Sequence, residues 1–168
     1  MKKDGLSFAT LLLLYGLPAH AQDRVCNALR AAAPEGTKTF VGPTVVLDRG
    51  RVQGFLAGGG VASYRAGAVK ALALTDDEMA DLAKSVAGHA FENFEPDCNW
   101  TQDAPNSFRV SPETPAFTFT NPLFSSDGNL ALIARSRFVG PLGSSGALCA
   151  LRRKGDVWTA TCFGSWIS

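Results

Sequence analysis

Four cysteines, Cys26, Cys98, Cys149 and Cys162, stand singly along a chain of 168 residues, with no Cys-x-x-Cys pair among them. An even number of scattered cysteines reads as two disulfides, whereas a zinc cage needs clustered ligands. His89 is the only histidine beyond the first 21 residues, so neither a metal nor a cofactor is expected. Four cysteines allow three connectivities, and local geometry discriminates among them.

Residues 147–153 and 157–163 are two β-compatible runs joined across Lys154-Gly155-Asp156. A two-residue loop at Gly155-Asp156 suits a primed turn, because glycine accepts positive φ. Arg153 then faces Trp158, Leu151 faces Ala160, and Cys149 faces Cys162. Lys154 and Val157 form the hydrogen-bonded pair beside the turn. Alternation therefore puts the two cysteines in a non-hydrogen-bonded site with Cα atoms about 4.5 Å apart, within disulfide reach. The same register sends Leu151, Trp158, Ala160 and both cysteines to one face, and Arg152, Lys154, Thr159 and Thr161 to the other. A turn centred on Lys154-Gly155 would instead set Cys149 against Ala160. In the first register, elimination pairs Cys26 with Cys98 across a long loop.

Residues 1–21 read as a cleavable secretory signal peptide. Lys2 and Lys3 form a positive n-region, Leu6 to Leu17 an apolar run, and Ala19-His20-Ala21 a small-x-small cleavage site before Gln22. The run is shorter than the roughly 20 apolar residues a membrane-spanning helix needs, so no stable membrane insertion is expected after cleavage. Residues 22–168 then have the size of a single globular domain. Cleavage removes two lysines and one aspartate from a chain of formal net charge +1, leaving a neutral product that is a poor fit to nucleic acid. The expected location is periplasmic or secreted, where disulfides persist.

The rest of the chain gives an α+β expectation. Asp23 to Ala33 has a helical face at Val25, Cys26, Leu29 and Ala32, and stops at Pro34. Thr44 to Asp48 and Val52 to Ala57 flank Asp48-Arg49-Gly50-Arg51, which predicts a hairpin. Gly58-Gly59-Gly60 lacks the Gly-Lys-Ser/Thr continuation of a phosphate loop and reads as a flexible connector. Residues 67–74 are apolar enough for strand or helix, and their position before a strong helix start favours a strand. That start is Thr75-Asp76-Asp77-Glu78, a capping box with acids at the positive end of the helix dipole. Met79, Leu82, Ala83, Val86, Ala90 and Phe91 follow at helical spacing. Residues 92–105 read as an ordered loop stapled by Cys98.

Beyond residue 106 strands dominate. Phe108 and Val110 alternate with Arg109, and Phe117 and Phe119 with Thr118 and Thr120. Leu130 to Val139 is apolar on both faces, as a central strand is. The expected fold is an antiparallel β-meander of four to five strands with one or two packed helices, stapled by two disulfides. Phe124-Ser125-Ser126-Asp127-Gly128-Asn129-Leu130-Ala131 resembles the strand-turn-strand core of a TolB-type β-propeller repeat. It occurs once, whereas a propeller needs several copies, so the resemblance implies a local turn at Asp127-Gly128 and no family for the whole chain.

Candidate sites are few. His89 sits late in its helix near Glu92 and Glu95, and with Asp97 these are the residues a small hydrolase would use. The serines of Gly143-Ser144-Ser145-Gly146 lack the Gly-x-Ser-x-Gly nucleophile elbow. Arg135, Arg137, Arg152, Arg153 and Lys154, with Trp158 and Trp166 as aromatic partners, form the candidate binding face for an anionic group. The resulting expectation is an exported, non-enzymatic binding, inhibitor or accessory protein with a protein or glycan partner in the cell envelope. The alternative is a hydrolase using His89 or the loop carboxylates. A third reading, a structural domain of a larger envelope complex, expects an exposed apolar patch at Phe117, Phe119 and Trp166.

Overall fold

A computed structural model describes residues 19–33, 46–59, 62–91, 98, 116–138 and 144–167. Four helices, α1 (Ala19–Ala32), α2 (Val46–Leu56), α3 (Ala62–Ala71) and α4 (Asp76–Ser85), precede five strands. The strands are β1 (Ala116–Phe119), β2 (Leu123–Phe124), β3 (Leu130–Phe138), β4 (Ser144–Lys154) and β5 (Val157–Ile167). All pair antiparallel in the order β1-β3-β4-β5, with β2 continuing the β1 edge along β3. The fold is α+β with an antiparallel meander, as the residue pattern implies. The run Leu6 to Leu17, the acids Glu92, Glu95 and Asp97, and the expected strand at Phe108 to Val110 lie outside the described residues.

β4 and β5 meet in the expected register, with Cys149 opposite Cys162, Leu151 opposite Ala160 and Arg153 opposite Trp158. Gly155 takes φ +63° in the two-residue turn, the positive φ that a primed hairpin demands of glycine. Cys149 and Cys162 are bridged with Cα atoms 4.0 Å apart, and Cys26 and Cys98 with Cα atoms 5.6 Å apart. Both expected bridges are present.

Strand alternation divides the core in two. On one face Leu130, Leu132, Ala134, Leu148 and Ala150 pack with Val52, Phe55 and Leu56 of α2, Ala68 of α3 and Met79 and Leu82 of α4. On the other, Ala131, Ile133, Cys149, Leu151 and Trp158 pack with Ala28, Leu29 and Ala32 of α1 and with Phe119 and Cys98. The sheet is thus a middle layer. This explains why β3 is apolar at every position from Leu130 to Ala134: both faces are covered.

The helical complement is larger than the expected one or two, because the expected hairpin around residues 48–51 and the expected strand at 67–74 are helical instead. Val46–Leu56 is the single helix α2, running through the expected turn and both its flanking arms. Val52, Phe55 and Leu56, at i, i+3 and i+4, are all buried against the sheet, and that burial outweighs the roughly 1 kcal/mol cost of each helical glycine. Residues 67–74 contribute to α3 and its end, with Ala68 and Leu72 buried. The connector at Gly58-Gly59 is itself a helix terminus. Gly58 has φ +77°, Gly59 N–H donates to Gly54 O (2.7 Å) and Gly58 N–H to Phe55 O (3.3 Å), which is a Schellman cap. α3 ends the same way with an alanine in the glycine position: Ala73 has φ +50°, Leu74 N–H donates to Val69 O and Ala73 N–H to Lys70 O.

The capping box of α4 is present as predicted. Glu78 N–H donates to Thr75 Oγ1 and Thr75 N–H to Glu78 Oε2 (2.9 Å). At the far edge, β1 and β2 are offset by one residue along β3. Thr120 covers the end of β1, its N–H donating to Ala134 O and its Oγ1 accepting from Ala134 N–H. Pro122, which has no N–H, falls in the resulting bulge.

Candidate functional site

The polar residues singled out in the sequence are placed one by one by strand parity and by their hydrogen bonds. Arg152 and Arg153 are neighbours on β4, so they point to opposite faces. Arg152 emerges on the side of α2–α4 and joins three elements. It pairs with Glu78 Oε1, donates from Nη2 to Glu78 Oε2 (3.1 Å), and donates from Nη2 to Ala73 O (2.6 Å). One guanidinium thus ties β4 to the capping residue that follows α3 and to the first turn of α4. Its hydrogen bond to Glu78 holds that carboxyl below the ordinary glutamate range, partial burial opposing, and raises the pKa of Arg152.

The remaining members of the expected binding face do not gather. Arg135 is half-buried on the α1 side, where Nη1 donates to Ala32 O (2.7 Å) at the helix C-terminus, a favourable end for a cation. Arg137 follows on the same face and is exposed. Arg153 lies on that face too, but Arg135 is opposite Ala147, six residues before Arg153 on β4, a span of about 20 Å. There Arg153 holds the hairpin turn, through Gly155 O and Asp156. Trp158 is buried in the α1-side core with its ring edge-on to Phe124. Trp166 belongs to β5, and its side chain lies outside the described residues. Arg135 and Arg137 form one group, Arg153 sits at the other end, and Arg152 is on the opposite side.

His89 closes a structural clip. Its ring nitrogen Nε2 is 3.1 Å from Asn121 O, Asn121 Nδ2 donates to Ala90 O (2.8 Å), and the imidazole lies edge-on against Phe91. Burial pushes the imidazole pKa down, which keeps the ring neutral and its Nε2–H donating to the carbonyl. The clip joins the end of the α4 segment to the bulge beside Pro122. Among the described residues, no three potential metal ligands converge.

The Phe124–Leu130 turn is built as its residues imply and is held from both layers. Asp127 accepts from Ser125 Oγ–H (2.6 Å), Asn129 N–H and Asn129 Nδ2. These donors, Ser125 foremost, lower its pKa to about 2 although it is fully exposed. From α4, Asp81 accepts Ser126 N–H (2.8 Å). From α1, the Arg24 guanidinium stacks 4.2 Å over the Phe124 ring, and a Cβ at Gly128 (φ +71°) would lie 2.7 Å from Arg24 Nη1. Glycine is required there by conformation, while the arginine tip would have to shift to admit a side chain.

One surface feature was missed in the sequence, and its signal was composition. Val157–Ile167 contains no charged residue and no proline, yet among the described residues β5 is the last strand of the sheet. Natural edges are usually blunted by charge, proline or short length. Val157 is 64% exposed, and Thr159, Thr161 and Cys162 are exposed as well. Phe119, part of the expected apolar patch, is fully buried, and the side chains of Phe117 and Trp166 lie outside the described residues.

The fold and these contacts define an α+β structure with two disulfides, helices on both faces of its sheet, and a long strand, β5, that pairs on one side among the described residues. Comparison with models of protein families, with curated proteins and with solved structures found no match.

Proposed function

We infer that the chain is exported and works in the periplasm or outside the cell as a non-enzymatic binding or accessory protein that takes a polypeptide partner by strand addition at β5. The observation that carries this reading is the β5 edge itself: long, free of charge, and locked to β4 by the Cys149–Cys162 bridge and the Gly155-Asp156 turn. A pre-ordered strand loses little entropy on pairing, and main-chain hydrogen bonds supply affinity. Export is supported by the amino-terminal pattern at residues 1–21 and by two disulfides, which persist in oxidising compartments. A catalytic role for His89 is disfavoured because its Nε2 is engaged by a backbone carbonyl and its ring packs on Phe91.

A photo-crosslinking residue at Thr159, introduced into the protein expressed with its amino-terminal segment, tests the reading. Ala160 pairs with Leu151 and shares the parity of the non-hydrogen-bonded Cys149–Cys162 pair, whose Cα atoms are 4.0 Å apart, so its N–H points away from β4. Protein adducts outside the cytoplasm that disappear when Ala160→Pro removes that N–H are expected. Turnover of esters or glycans that is lost in His89→Ala, with no adduct at β5, overturns the reading in favour of a hydrolase.

A further inference from the structure

The cut expected after Ala21 falls inside α1, and we propose that it creates a modification site: the freed α-amine of Gln22 closes on its own side-chain amide, so that the mature chain begins with a pyroglutamyl lactam. The proposal rests on the reading of residues 1–21 as a cleavable segment, and names the chemical state of the end that cleavage leaves.

The residue that follows the Ala19-His20-Ala21 site decides what a new amine can do, and here it is Gln22. Glutamine carries a primary carboxamide at the reach that closes a five-membered ring on its own α-nitrogen. Asparagine would need a strained four-membered ring, and the carboxylate of glutamate is a far poorer electrophile. In the reaction the α-nitrogen lone pair attacks the side-chain carbonyl carbon Cδ. A bond forms between that nitrogen and Cδ, the bond from Cδ to Nε2 breaks, and Nε2 leaves as ammonia with a proton from the α-amine. No oxidant, reductant or co-reactant is consumed, and every reacting atom belongs to residue 22.

The fold adds a reason for the ring to close. α1 runs Ala19–Ala32, so cleavage removes Ala19, His20 and Ala21 from it and leaves Gln22 as the first helical residue, with no spacer before the folded chain. The helix is anchored directly behind that end. Arg24 stacks over Phe124, Cys26 is bridged to Cys98, and Ala28 and Leu29 are fully buried. Asp23, next to the new end, is exposed, so solvent reaches the neighbourhood. A protonated α-amine would sit at the positive end of the helix dipole, two residues from the Arg24 guanidinium, with the Asp23 carboxylate as the one opposing charge in that turn. The dipole disfavours the protonated form and so favours the free base that attacks Cδ. The lactam is uncharged and keeps an N–H, and it removes the free amine that aminopeptidases require.

Mass spectrometry of the amino-terminal peptide is the test, on protein expressed with its amino-terminal segment and recovered from cells and medium. An isotope-labelled synthetic peptide of residues 22–33 with an open Gln22, added at lysis, reports any closure during handling. The wild-type chain is expected to begin at residue 22, to be lighter than the open sequence by one ammonia and to refuse amine-labelling reagents, while the added peptide stays open. Gln22→Asn keeps the amide but shortens its reach, and should begin at residue 22 with an amine that labels. A wild-type chain that starts at Gln22 with a free amine, or is closed no further than the added peptide, overturns the lactam and leaves export standing. A Gln22→Asn chain equally blocked to labelling also overturns it. A chain cut at another bond removes the lactam and the expected site but not export, and a chain retaining Met1 overturns both readings.

Discussion

Replacing Arg152 by methionine tests whether this residue is a brace, as its contacts indicate, or part of a binding face. Methionine keeps the apolar stem and removes the guanidinium. The side chains of Arg152 and Glu78 are 41% and 29% exposed, so the ion pair is worth the surface figure of about 1 kcal/mol, not the several kcal/mol of a buried pair. The bond to Ala73 O adds about 1 kcal/mol. The expected loss is therefore about 2 kcal/mol in urea unfolding at neutral pH. Glu78→Gln preserves the capping box, which accepts glutamine, and should cost about 1 kcal/mol through the lost charge alone. In the double variant the two losses should fall short of additivity by about that amount. The pH dependence has a definite sign. Arg152 lowers the folded-state pKa of Glu78, so the stabilisation is complete above the unfolded value of about 4.3 and is lost as pH falls through the folded value. The gap between wild type and Glu78→Gln should therefore close in acid. A loss below about 0.5 kcal/mol for Arg152→Met, the usual cost of an unremarkable surface change, would refute the brace. So would a Glu78→Gln gap that persists unchanged in strong acid.

Three further outcomes follow from particular contacts. Ala73→Gly should stabilise the protein by about 0.5–1 kcal/mol, because an alanine at φ +50° carries a steric cost that glycine lacks, net of glycine's entropy; a lower urea midpoint would contradict this. Removing the Cys26–Cys98 bridge, which closes 72 residues, should cost about 4 kcal/mol, and removing Cys149–Cys162, which closes 13, about 3 kcal/mol; a larger loss from the short bridge would contradict the loop-entropy account. Burial lowers the folded-state pKa of His89, so its contribution is complete above the unfolded value of about 6.5 and declines as pH falls below it. His89→Gln should remove that step from the stability–pH curve measured by thermal unfolding.

What could be read from the residues was local in origin. The β4–β5 register follows from a two-residue glycine turn and the parity of Cys149 and Cys162, and the start of α4 from four consecutive residues at Thr75–Glu78. Both depend on groups a few residues apart. α2 was obscured because Asp48, Gly50 and Gly54 carry turn chemistry, while the contact that favours the helix, Val52, Phe55 and Leu56 against the sheet, is formed with strands much later in the chain. Gly58-Gly59 looked like a connector because a Schellman cap is visible only once the helix before it is known. The expected cationic face failed to assemble for a reason already present in the sequence: Arg152 and Arg153 are adjacent in a strand and cannot share a face. The β5 edge was legible as a charge-free run, but a strand's place in the sheet order decides whether such a run is core or edge.

Mass spectrometry of the protein recovered from cells, with thiols alkylated at lysis and digestion under non-reducing conditions, tests the central claim of an exported, doubly bridged domain in one measurement. The account predicts a chain beginning at Gln22, no alkylated cysteine, and two linked peptide pairs, 26 with 98 and 149 with 162. A chain retaining Met1 with four alkylated cysteines, or a bridge from Cys26 to Cys149 or Cys162, would contradict it.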